Sequence, residues 1–133
     1  MAKILLVDDD ALLVRMYQKK LKNDGYDVVT AGDGIEALKK ASEFKPDLIL
    51  LDVMMPKMNG FETLKKLKSD SATSKIPVII LSNVGGSDED VDKGLELGAV
   101  SYLVKAGTKP KEVVAKVKEV LAGYVHEVPK VKE

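Results

Sequence analysis

LILLDVMMPKMNG, residues 48–60, is the stretch on which the fold of this chain turns. Four apolar residues run without a break into Asp52, and methionines, a proline and Asn59-Gly60 follow. A short apolar run bounded by turn residues is the pattern of a strand buried on both faces. A carboxylate at the end of such a strand is costly to bury unless positive charge meets it. The rest of the sequence has to supply both the neighbouring strands and that charge.

Outward from Asp52, apolar runs of strand length recur: KILLV (3–7), YDVVT (26–30), DLILL (47–51), IPVIIL (76–81) and VSYLV (100–104). Helical patterns separate them. Leu12, Leu13, Met16 and Tyr17 fit the first, Ile35, Leu38 and Ala41 the second, and Phe61, Leu64 and Leu67 the third. Val91, Leu95 and Gly98 form a weaker fourth stripe. The fifth is the clearest, with Val113, Val114, Val117, Val120, Leu121 and Tyr124 at helical spacing. Asp24-Gly25, Gly32-Asp33-Gly34, Asn59-Gly60, Val84-Gly85-Gly86 and Gly107 punctuate the alternation, and Pro110 suits the start of the last helix. Five βα units predict a parallel sheet with right-handed crossovers and helices on both faces. Residues 1–123 are expected to form one domain, with 124–133 a tail or linker.

The chain has 133 residues and no cysteine, so disulfides, thiolate metal sites and thiol nucleophiles are excluded. Lysine plus arginine balances aspartate plus glutamate at 21 each, and Arg15 is the only arginine. With no net field and almost no arginine forks, neither nucleic acid nor membrane is an expected partner of this chain alone. The opening MAKILLVDDD turns acidic too soon for a signal peptide or a membrane span, so a cytoplasmic protein is expected.

In an open parallel sheet, ligands bind at the carboxyl ends of the strands. The first run meets Asp8-Asp9-Asp10, the second ends in Thr30, the third meets Asp52, the fourth meets Ser82 and the fifth meets Lys105. If strands one and three are neighbours, as in the order 2-1-3-4-5, Asp8, Asp9 and Asp52 converge. Three carboxylates that close repel unless one is protonated or a cation joins them. Oxygen ligands without histidine or cysteine select magnesium, manganese or calcium. Metal, lysine and hydroxyl around a carboxylate nucleophile make a phosphoryl-transfer site with Asp52 as the attacked group.

VDDD (7–10), LLDVMMPKMNG (50–60), the serine of VIILS (78–82) and YLVK (102–105) together resemble the receiver domain of two-component response regulators, including single-domain chemotaxis regulators. The resemblance covers about residues 2–122. It implies a flavodoxin-like, doubly wound α/β fold with five parallel strands in the order 2-1-3-4-5 and five helices. It also implies that Asp52 accepts a phosphoryl group from a sensor histidine kinase, a phosphotransfer protein or a small acyl phosphate. Asp9, Asp52 and the backbone carbonyl of Met54 would ligate Mg2+ (or Mn2+), with Asp8 acting through water. Ser82 and Lys105 would hold the phosphoryl oxygens, and Tyr102 resembles the aromatic that turns inward as Ser82 moves. The product would be a signalling switch that catalyses its own phosphorylation and dephosphorylation and presents an α4–β5–α5 face, about residues 88–122, to a downstream protein.

The sequence departs from that pattern in three places. Ala106 follows Lys105 where a cis-proline is usual, so a trans bond or strain is expected, with Gly107 available to absorb the altered path. Asn83 replaces the usual small residue after the hydroxyl. Met54 and Val84 are apolar where polar groups help position hydrolytic water, which predicts a long-lived phosphorylated Asp52. Simpler roles compete: Asp9 or Asp10 caps the first helix, Tyr102 and the methionines pack, His126 lies in the tail, and Ser87-Asp88-Glu89-Asp90 starts a helix. Two alternative functions remain: a receiver-fold interaction module that is never phosphorylated, and a haloacid-dehalogenase-like phosphatase with Asp8-x-Asp10 as its nucleophile motif. The second has Ala11-Leu12 in place of glycine–threonine and leaves Asp52 without a role.

Overall fold

The computed structural model describes residues 2–53, 59–82 and 88–123. The elements alternate strictly: β1 (Lys3–Val7), α1 (Ala11–Asn23), β2 (Asp27–Ala31), α2 (Gly34–Phe44), β3 (Leu48–Leu51), α3 (Gly60–Ser69), β4 (Val78–Ser82), α4 (Asp88–Glu96), β5 (Ser101–Val104) and α5 (Pro110–Leu121). All strand pairs are parallel, in the order β2-β1-β3-β4-β5. This is the doubly wound fold expected from the alternation of runs and helical stripes.

Strand ends depart from the apolar runs for local reasons. Tyr26 still belongs to the turn, its N–H donating back to the Leu21 carbonyl at 3.1 Å, so β2 begins at Asp27. β4 begins at Val78, after Pro77, which has no N–H for the ladder although its carbonyl accepts from Ile49 at 3.0 Å. Asp10 and Asp33 cap α1 and α2 through their carboxylates, and Asn59 with Glu62 forms a capping box on α3.

Alternate strand residues feed two cores. Ile4, Leu6, Leu48, Leu50, Ile79 and Leu81 pack with α1 and α5, while Leu5, Val7, Ile49, Leu51, Val78 and Ile80 pack with α2 and α3. All four residues of β3 are buried. Each fully buried leucine contributes roughly 1.5–3 kcal/mol, and a one-residue slip would exchange the two cores. The register that places Asp52 is therefore strongly fixed.

Three helical stripes face differently from the sequence reading. On α1, Tyr17 and Leu21 turn inward while Leu12 is 79% exposed and Met16 lies partly open. On α2, Ala37 and Ala41 face the sheet and Ile35 faces out, because small residues let this helix lie close. On α4, Gly94 is buried and Leu95 is exposed.

Candidate functional site

β1 and β3 end side by side, with Val7 paired to Leu51. The Asp52 N–H continues that ladder to the Val7 carbonyl at 2.9 Å, and the Asp8 N–H does the same to Ala31 at 3.0 Å. Asp8 and Asp52 thus become neighbours at the carboxyl edge, each only 4% exposed. Asp9, the next residue along, is exposed. One oxygen from each of Asp8, Asp9 and Asp52 lies within 4.8 Å of the others.

Lys105 completes the cluster from β5. Val104 pairs with Ser82 across the last ladder, so the lysine leaves the sheet one residue beyond the buried serine. Its Nζ donates to Asp8 Oδ2 at 2.7 Å and stands 3.8 Å from Asp52 Oδ2, with its side chain 11% exposed. Asp8 Oδ1 accepts from the Asp10 N–H at 2.9 Å. Both Asp8 oxygens are therefore engaged, and the lysine meets Asp8 more closely than Asp52. In surroundings of intermediate dielectric, like charges at this separation repel by on the order of 3–4 kcal/mol per pair. One ammonium offsets only part of that for three carboxylates. An all-oxygen set with charge to spare fits a hard divalent cation.

Tyr102 lies half-buried on β5, paired with Ile80. Burial, Asp90 and Asp52 together hold its hydroxyl above the usual tyrosine range. A cleft of about 380 Å³ opens beside the acids, lined among others by Asp8, Asp9, Arg15, Gln18 and Thr30.

The structure brings Asp8, Asp9, Asp52 and Lys105 together and sets Ser82 and Tyr102 on the adjoining strands. Asp10 serves as the cap of α1, one of the two roles open to it in the sequence. Met54, Asn83, Val84, Gly85-Gly86, Ser87, Tyr124 and His126 lie outside the described residues. Among the described residues no peptide bond is cis, in keeping with Ala106 after Lys105. The chain leaves the lysine through a 3-10 turn at Lys105–Gly107. Gly107 needs no special freedom there: its φ is not positive, and a Cβ would meet nothing within 4 Å.

Gly60 is a site residue that pattern reading missed. A Cβ on it would collide with the Asp52 carbonyl oxygen and the Val53 Cα, and its N–H donates to Val53 at 3.1 Å. The start of α3 is thereby pressed against the backbone that carries the carboxylate. In the sequence the same residue reads as the second half of an Asn-Gly turn and the end of the LLDVMMPKMNG stretch, neither of which implies contact with the Asp52 backbone.

Residues 4–118 match the response regulator receiver domain family. The chain is 49% identical over 121 residues to the alkaline phosphatase synthesis transcriptional regulatory protein PhoP of Bacillus subtilis, covering 90% of this chain and 48% of that protein. It is 46% identical over 123 residues to the CpxR homolog of Haemophilus influenzae, covering 91% and 51%. The chain therefore spans about half the length of these curated relatives. Among solved structures, the chemotaxis response regulator CheY4 of Vibrio cholerae superposes with a TM-score of 0.83 at 38% identity, covering 90% of this chain and 98% of that one. A CheY-like receiver domain protein of Methanospirillum hungatei gives 0.86 at 29%, covering 96% and 98%. With its sheet order and its edge of acids and lysine, the chain belongs to the response regulator receiver domains of two-component systems.

Proposed function

We propose that this chain is a phosphorylation switch in which Asp52 is the phosphoacceptor and Mg2+ the cofactor. The observation that carries this reading is the cluster itself: three carboxylates within 4.8 Å, two of them buried, with one lysine among them. Asp8, Asp9 and Asp52, with the Met54 carbonyl expected from the resemblance, would hold the metal. The metal supplies charge neutralisation for the transferring phosphoryl oxygens.

In the transfer, an Asp52 carboxylate oxygen forms a bond to phosphorus as the bond from phosphorus to the donor breaks. The donor is a phosphohistidine, whose imidazole departs, or an acyl phosphate, whose carboxylate departs. Asp8 is held by Lys105 and by the Asp10 N–H, and Asp52 stands at the position that the resemblance to receiver domains makes the attacking group. Lys105, already 3.8 Å from Asp52, and the buried Ser82 hydroxyl are the groups to receive the new oxygens. Phosphorylation adds about −1.5 to −2 charges at this edge, enough to rearrange nearby polar groups. Met54 and Val84 offer no polar partner to attacking water, so the phosphorylated state is expected to last.

The partners are a histidine kinase or phosphotransfer protein on the donor side and a protein reading the α4–β5–α5 face on the output side. DNA binding and transcriptional regulation stand in the names of relatives of which this chain spans about half. The function proposed here needs neither membrane nor nucleic acid, and among the described residues no helix is long and apolar enough to cross a membrane.

Incubation with acetyl phosphate and Mg2+, followed by intact mass, tests this reading. Wild type is expected to gain one phosphoryl group, and Asp52→Ala none. Turnover of acetyl phosphate that survives Asp52→Ala and dies with Asp8→Ala would instead make Asp8 the nucleophile. A folded wild type that gains nothing overturns the switch and favours an interaction module.

A further inference from the structure

Gly94 is the only residue of α4, among those described, that is buried. A Cβ placed on it would lie 2.7 Å from Ile80 Cδ1, 3.0 Å from Tyr102 Cδ2 and 3.3 Å from Tyr102 Cε2. Its φ is not positive, so backbone freedom is not what glycine provides here. Glycine inside a helix also loses stability relative to alanine. What it provides is closeness: α4 lies against β4 and the edge of the tyrosine ring with no side chain between.

The surroundings determine which group yields if that space is filled. Ile80 is fully buried in the second core and can turn only by displacing its neighbours. α4 is held sideways by the residue before Gly94, since Lys93 Nζ stands 4.7 Å from the centroid of the Phe61 ring on α3. The Tyr102 ring is half-buried, so its outward path is the open one. That ring also sits where the acid edge is felt. Ile80 pairs with Tyr102 and Ser82 with Val104, so the serine and the tyrosine lie on the same sheet face, one diagonal step apart. Its hydroxyl responds to Asp90, one turn before Gly94, and to Asp52.

We propose that Gly94 is a positioning residue for the switch: the absent side chain is the clearance that lets the Tyr102 ring move inward beneath α4, and so sets how readily Asp52 is phosphorylated. The inference rests on the reading of Asp52 as phosphoacceptor. In Gly94→Ala the added methyl crowds the ring outward, away from the sheet face it shares with Ser82.

The test uses wild type, Gly94→Ala, Tyr102→Ala, the two combined, and Gly94→Ala with Ile80→Val. Initial rates with acetyl phosphate and Mg2+ are read by intact mass, and tyrosine ring signals by NMR without either reagent. Gly94→Ala is expected to shift the Tyr102 ring signals and slow phosphorylation about threefold to tenfold. In the Tyr102→Ala background the same change should have no further effect. Ile80→Val removes the 2.7 Å contact, so the double variant isolates the ring should the single variant unfold. Unshifted ring signals overturn the inference, as does an equal slowing with and without Tyr102. A wild type that gains no mass removes the phosphoacceptor reading itself, whereas a wild type that reacts normally beside an unaffected Gly94→Ala removes only the role of Gly94.

Discussion

α4 and α5 are consecutive helices on either side of β5, and they are held in opposite ways. α5 buries Val113, Val114, Val117 and Val120 in the first core, with Val113 and Val117 fully enclosed. Its start is fixed by Pro110 and by the Lys109 N–H donating to Glu112 Oε1 at 2.7 Å. α4 buries a glycine, exposes Leu95, and carries acids over most of its length. Fully burying a valine contributes roughly 1.5–3 kcal/mol, and α4 has no such contribution from its own buried residue. Elements with few buried apolar contacts open at lower free energy. α5 is therefore anchored by its own buried valines, whereas α4 rests on the close approach at Gly94 and on the Lys93–Phe61 contact.

The largest test of that contrast removes apolar volume from each helix. Val117→Ala is expected to lower stability by about 2–3 kcal/mol, as transfer and cavity effects add. Leu95→Ala is expected to stay within about 0.5 kcal/mol of wild type, as an exposed position should. Urea unfolding monitored by circular dichroism measures both. Equal losses would mean that α4 is anchored as firmly as α5.

The contrast was only half legible in the sequence. The four valines and one leucine of α5 repeat at helical spacing, so both the helix and its buried face could be read directly. Strand bodies followed from the apolar runs, whereas the order 2-1-3-4-5, and with it the convergence of Asp8, Asp9 and Asp52, was what the resemblance to receiver domains implied. Periodicity defines a stripe but not which neighbouring stripe meets the sheet, so Leu12, Ile35 and Leu95 read as core and stand exposed. Gly60 and Gly94 were invisible for another reason. Their role is a close approach between elements far apart in sequence, and a glycine in isolation reads as punctuation. The pairing of Lys105 with Asp8 depends on side-chain reach, which strand order alone does not specify.

A smaller effect sharpens the same comparison. Lys93 over the Phe61 ring is a side-chain tether between α4 and α3. Cation–π contacts at exposed sites contribute about 0.5–1 kcal/mol. Lys93→Gln is expected to raise hydrogen exchange of α4 amides by about threefold to fivefold, in line with that energy, while α5 amides keep their rates. A parallel rise in both helices would show that α4 opens only with the whole domain.

The smallest expected effect is read at Tyr102, where α4 and the acid edge meet. Its hydroxyl is held above the ordinary tyrosine range by burial first, then by Asp90 on α4 and Asp52 on the edge. Because the neutral phenol is favoured in the fold, its stabilising contribution is complete below the unfolded tyrosine pKa. It is lost as pH rises through that value toward the folded one, since the unfolded chain gives up the proton first. Asp90→Asn should lower the titration midpoint of Tyr102, and Asp52→Asn should lower it less, in the order of their influence. Tyrosinate absorbance, with Tyr102→Phe subtracted to remove the other tyrosines, measures the shift. An unchanged midpoint in Asp90→Asn would mean that α4 does not sense the ring, and the contrast between a fixed α5 and a responsive α4 would lose its link to Asp52.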